Sequence, residues 1–111
     1  MQTINLIFQN MRGNMKQLLQ EKLLLEELNK IIKEMDVEIY FSFGGPAEQR
    51  VCLENINGTW TVYTYERGMM HHIKEYELLY GACINVIDQL AATNEMSEQF
   101  TEKFERTLRK I

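Results

Sequence analysis

Histidine, cysteine, serine and aspartate each occur only twice in this chain, proline and tryptophan once. Those scarcities exclude most catalytic chemistry. His71 and His72 are adjacent, and neighbouring residues cannot converge on one ion as histidines four apart on a helix do. Cys52 and Cys83 complete no metal-ligand spacing with them. Ser42 and Ser97 sit in neither a nucleophile elbow nor an S-x-x-K motif. Asp36 and Asp88 have no evident acidic companion for general acid–base work. Gly44-Gly45-Pro46 is too short to cradle a phosphate, and no helix follows it directly. The two cysteines fall on a predicted strand and a predicted helix, in a chain that needs no stapling. They read as free structural thiols. The expectation is therefore no enzyme, no cofactor and no metal.

Long apolar runs and basic charge are also missing. No stretch approaches the roughly 20 apolar residues of a membrane span. Residues 1–10 lack the basic start, full apolar core and cleavage site of a secretory signal. Twelve basic residues face sixteen acidic ones, a net charge of −4. They are spread along the chain, which argues against nucleic acid and anionic membrane as partners. The reading is cytoplasmic, with no small-molecule substrate. What is present is ordinary for one globular domain spanning residues 1–111, with 45% hydrophobic and 25% charged residues. A chain of this size buries about 65% of its unfolded surface. Residues 1–14 read as a loosely ordered leader, with Met11 and Met15 as alternative starts.

The most informative stretch runs from Val51 to Gly68. Asn57-Gly58 between two alternating runs is a strong hairpin signal, since both residues tolerate the positive φ of a two-residue type I′ turn. That turn dictates a register: Ile56 opposite Thr59, Asn55 opposite Trp60, Leu53 opposite Val62, Val51 opposite Thr64. On the other face Cys52 meets Tyr63 and Arg50 meets Tyr65. The Leu53/Val62/Trp60 face is the one expected in the core. The tyrosine face is left either wet or meeting a partner.

Around this hairpin the pattern is α-β-β-β-α-α. Asn14 is the expected N-cap of a helix over 15–35. In it Leu18, Leu24, Leu25, Leu28, Ile31, Ile32 and Met35 share an arc of roughly 140°. Leu19 and Leu23 fall on the polar side, as surface leucines, a second packing contact or an interface. Val37–Phe43 alternates like a strand and ends at Gly44-Gly45-Pro46. A second strand follows from about Glu48, and Gly68 closes the third. Met69–Lys74 is expected to be a connection. A helix follows from Glu75 to about Ala91, with Tyr76, Leu79, Tyr80, Cys83, Ile84, Val86, Ile87 and Leu90 on one face. A last helix starts near Glu95 or Ser97, with Phe100, Phe104, Leu108 and Ile111 in line. Opposite them Glu95, Glu98, Glu102 and Glu105 form an acidic stripe. The expected fold is α+β: an N-terminal helix, a three-stranded antiparallel meander and two C-terminal helices packed on the sheet.

The string Gly58-x-Trp60-x-Val62-Tyr63-x-Tyr65-Glu66-Arg67-Gly68 is followed by a predicted helix carrying Glu77 and Ala82-Cys83. It is preceded by a leucine-rich acidic helix and by Gly44-Gly45-Pro46 before a Val-Cys-Leu-Glu strand. Over roughly residues 15–91 this resembles small bacterial immunity proteins of polymorphic-toxin and contact-dependent growth inhibition systems. The resemblance implies a cytoplasmic, non-catalytic inhibitor that binds the C-terminal toxin domain of a cognate toxin. Such domains are frequently nucleases and basic around their substrate cleft. Two surfaces are candidates for toxin contact. One is the acidic stripe Glu95, Glu98, Glu102 and Glu105, which would mimic phosphates or simply be a solvated helix face. The other is the hairpin end, Tyr63, Tyr65, Glu66 and Arg67, rich in typical interface anchors. There Glu66-Arg67-Gly68 has an equal claim to be a structural turn. From another class, the alternative is a small adaptor or self-associating structural protein using Leu19, Leu23 and the tyrosine face.

Overall fold

The structure, a computed structural model, describes residues 13–109. The expected leader up to residue 12, and Ile111 at the end of its apolar line, lie outside them. Helix α1 (Gly13–Met35) is followed by a 3-10 turn (Glu38–Tyr40) and strands β1 (Phe41–Phe43), β2 (Arg50–Ile56), β3 (Thr59–Glu66) and β4 (Met69–Tyr76). Helices α2 (Leu79–Leu90) and α3 (Asn94–Leu108) complete the domain. Helix α1 already runs at Gly13, so Asn14 lies inside it and is not its N-cap.

The Asn57-Gly58 hairpin forms in the dictated register, from Ile56 opposite Thr59 to Arg50 opposite Tyr65. Both turn residues take positive φ, 53° and 88°. The meander around it is corrected. The sheet has four strands in the order β1-β2-β3-β4, and β1 runs parallel to β2. Val37–Phe43 does not extend as one strand, because Glu38–Tyr40 coil into the 3-10 turn and only Phe41–Phe43 pair. Residues 69–74 are not a connection: they belong to β4, antiparallel to β3. Helix α2 consequently begins at Leu79, not Glu75, since β4 holds the chain through Tyr76.

Helix α1 ends in a Schellman motif. Asp36 takes the left-handed position at φ 59°, and its N–H donates to Lys33 O while Val37 N–H donates to Ile32 O. These bonds satisfy carbonyls that a helix end otherwise leaves open. Helix α3 starts at Asn94, with the Thr93 hydroxyl accepting the Met96 N–H at 3.1 Å. This cap satisfies one of the orphan N–H groups of the first turn and sets the start of the helix.

One core joins all three helices to a single face of the sheet. Leu28, Ile31, Ile32 and Met35 of α1 meet Val51, Leu53, Trp60 and Val62, with Leu79, Ala82, Cys83, Val86, Ile87 and Leu90 of α2 and Phe104 of α3. The expected Leu53/Val62/Trp60 face is thus the inner face. Leu18 departs from its expected place: it is 65% exposed, because packing against α1 begins only around Leu24 and Leu25. Leu19 and Leu23 are half-buried.

Candidate contact surface

The acidic stripe of α3 divides in two. Glu95 and Glu98 are exposed and form no ion pair with any described residue. Glu102 pairs with Arg106 one turn on, at 2.8 Å, and Glu105 accepts the hydroxyl proton of Tyr80. That bond, helped by burial, pushes the Tyr80 phenol up to about 12. The carboxylates in the second half of α3 are therefore engaged within the fold, and those in the first half face solvent.

The hairpin end divides as well. Tyr63 is buried, 1% exposed, which takes it out of any contact surface and corrects its placement among the contact candidates. Its hydroxyl donates to Glu54 Oε1 at 2.6 Å. Burial first, and this bond second, hold the phenol well above its ordinary range. Tyr63 shares the outer face with Cys52, whose Sγ lies 3.9 Å from Ala47 O of the connection 44–49. Tyr65 is half-buried, while Glu66 and Arg67 are exposed. Arg67 and Gly68 are the two central residues of the β3–β4 turn, with φ 53° and 71°. Their backbone N–H groups donate to the two carboxylate oxygens of Glu48 at 3.0 and 2.8 Å. Glu66-Arg67-Gly68 is thus a structural turn whose carboxylate partner binds its backbone.

Beside this turn an open cleft of about 350 Å³ is lined by Tyr40, Gln49, Arg50, Val51, Thr64, Tyr65, Glu66, Gln89 and Leu90. Ends of four segments make it: the 3-10 turn, the start of β2, the end of β3 and the C-terminus of α2. Arg50 donates from Nη1 to Phe41 O at 3.2 Å, which fixes its guanidinium at the wall. Gln89 and Leu90 bring the C-terminal turn of α2 to it, the negative end of that helix dipole. Only a few residues separate Leu90 from Glu95, so the first free carboxylate of α3 lies within about 19 Å of the cleft along the chain. No periodicity signals this cleft, because its residues come from four segments; of the contact candidates, Tyr65 and Glu66 line it.

His71 and His72 sit on β4, not in a loop. An extra residue there interrupts the pairing with Val62 and Thr64, and His72 takes φ 53°. His72 Nδ1 lies 3.0 Å from Thr64 Oγ1, which accounts for its orientation. Among the described residues no three His, Cys, Asp or Glu side chains are grouped to hold a metal ion. Both thiols are buried and free, and burial pushes each upward, Cys83 to about 12. Such thiols are poor nucleophiles. Among the described residues no helix is long and apolar enough to cross a membrane. No family model, curated protein or solved structure matches this chain.

Proposed function

We propose that this protein is a cytoplasmic immunity protein that binds and neutralises a cognate toxin domain, without catalysis of its own. The observation that supports this reading is a set of exposed carboxylates with no ion pair to a described residue. Glu66 borders the cleft, and Glu95 and Glu98 lie on the first half of α3, all exposed and none in an ion pair with a described residue. A basic cleft, of the kind that surrounds a nuclease active site, complements such a surface. Opposite charge would speed capture and make it salt-sensitive. Tyr40 and Tyr65 offer amphipathic area in the cleft itself, as interface anchors do.

The test is titration of the purified protein against the C-terminal toxin domain encoded next to its gene, at low and moderate salt. Tight, salt-sensitive binding with rescue of cells expressing that domain is expected. Combined Glu66→Lys, Glu95→Lys and Glu98→Lys is expected to weaken binding at least tenfold, about 1.4 kcal/mol, chiefly at low salt. Unchanged affinity in that variant would remove this surface. No binding and no rescue by the unaltered protein would remove the function.

A further inference from the structure

Cys52 and Tyr63 are completely buried, yet they do not belong to the core that the helices share with the sheet. They alternate with Leu53 and Val62 along β2 and β3, so they point from the opposite, outer face. No helix is needed to bury them. At Cys52 the connection between β1 and β2, residues 44–49, comes close, with Ala47 O 3.9 Å from Sγ, while the Tyr63 hydroxyl beside it donates to Glu54.

This connection is unusual in length. Adjacent parallel strands ordinarily require a crossover of about a dozen residues or more. Here residues 44–49 carry the chain from the end of β1 back to the start of β2, a return this short being possible because β1 has only three residues to retrace. Its ends are held by backbone bonds that continue the sheet: Gly44 N–H donates to Leu53 O at 2.9 Å, and Gln49 N–H to Tyr65 O at 2.8 Å. The Ser42 hydroxyl donates to Gly45 O at 2.9 Å. Beyond these, Glu48 reaches the β3–β4 turn, where its carboxylate accepts two consecutive N–H groups. Hydrogen bonds to an ionised group are roughly twice as strong as neutral ones.

We propose that residues 44–49 are a strap across the outer face of the sheet, with Glu48 as its clasp on the Arg67–Gly68 turn, and that releasing the clasp opens Cys52 to solvent while the sheet and the helical core stay folded. Glu48 also acts as a positioning residue for the contact surface. It fixes the turn that carries Arg67, while Gln49 beside it lines the cleft. The strap thereby couples access to the outer face with the shape of the cleft. Its opening is a local event, below the free energy of global unfolding.

Alkylation of the native full-length protein by iodoacetamide, with each cysteine followed by peptide mass spectrometry, tests this. Cys83, buried in the helical core, reports global unfolding within the same sample. Glu48→Ala is expected to raise the Cys52 rate about tenfold or more and leave the Cys83 rate unchanged, with Glu48→Gln in between. In the unaltered protein, low urea should accelerate Cys83 far more steeply than Cys52, because local opening exposes little surface. A Cys52 rate within about threefold of the unaltered protein in Glu48→Ala, or a parallel rise at both cysteines, overturns the proposal. Equal urea dependence at the two thiols overturns it independently.

Discussion

The two hairpins of this sheet share strand β3 and have nearly the same turn, but they are held by different means. Asn57 and Arg67 both adopt φ 53°, each followed by a glycine at positive φ. In the first turn the support is local: the Asn55 side chain accepts the Gly58 N–H at 2.9 Å. In the second it comes from Glu48, 19 and 20 residues away in sequence. Asparagine enters the left-handed region readily; arginine does so at a cost of about 1 kcal/mol. A strained residue persists where its surroundings over-determine it, and the Glu48 carboxylate does that for Arg67. Burial differs just as sharply. Strand β2 is buried at Val51, Cys52 and Leu53, whereas β4 is exposed at every residue but Tyr76.

Three substitutions would break or sharpen this contrast. Trp60 lies on the shared strand, packed into the core, stacked near Phe43 and donating from Nε1 to Glu21 at 2.8 Å. Trp60→Ala is expected to cost about 3–5 kcal/mol, read as a large fall in the urea midpoint. A retained midpoint would mean that the inner face does not hold the first hairpin. Arg67→Asn keeps the backbone bonds to Glu48 and relieves the left-handed strain. It is expected to stabilise by about 0.5–1 kcal/mol in the same measurement, while a loss of stability would show that the arginine side chain supports the turn. Ile73, on β4, is 53% exposed. Ile73→Ala should change stability by no more than about 0.5 kcal/mol, so thermal melts should nearly superimpose. A larger effect would place the second hairpin among the buried elements.

The same contrast explains which parts of the fold were legible. The first hairpin could be read to the residue because its turn type, register and buried face all follow from residues within it. Helices α1 and α2 announced themselves by periodic apolar residues that meet the core. Strand β4 did not: Met69-Met70-His71-His72-Ile73-Lys74 is exposed on both faces, so no alternation marks it, and Arg67 conceals a type I′ turn. The direction of β1 was illegible for another reason. Alternation in Val37–Phe43 describes an extended chain, but not whether the next strand runs back beside it or crosses over it. Of the contact candidates, Glu66, Arg67, Glu95 and Glu98 are exposed as sequence reasoning placed them. Tyr63 could not be placed, since it is buried outside the core whose apolar spacing the sequence displays.

By itself, then, the sequence determined the α+β class, the three helices that form the core and the central hairpin with its inner face. Each is dictated by the spacing of apolar residues and the conformational freedom of Asn57-Gly58, which act over one or two turns of chain. Tertiary structure alone decided the parallel β1, the fourth strand, the burial of Cys52 and Tyr63, and the cleft. Those features depend on where a short polar connection comes to rest and on a carboxylate binding amides twenty residues away, and such meetings leave no periodic trace in the chain.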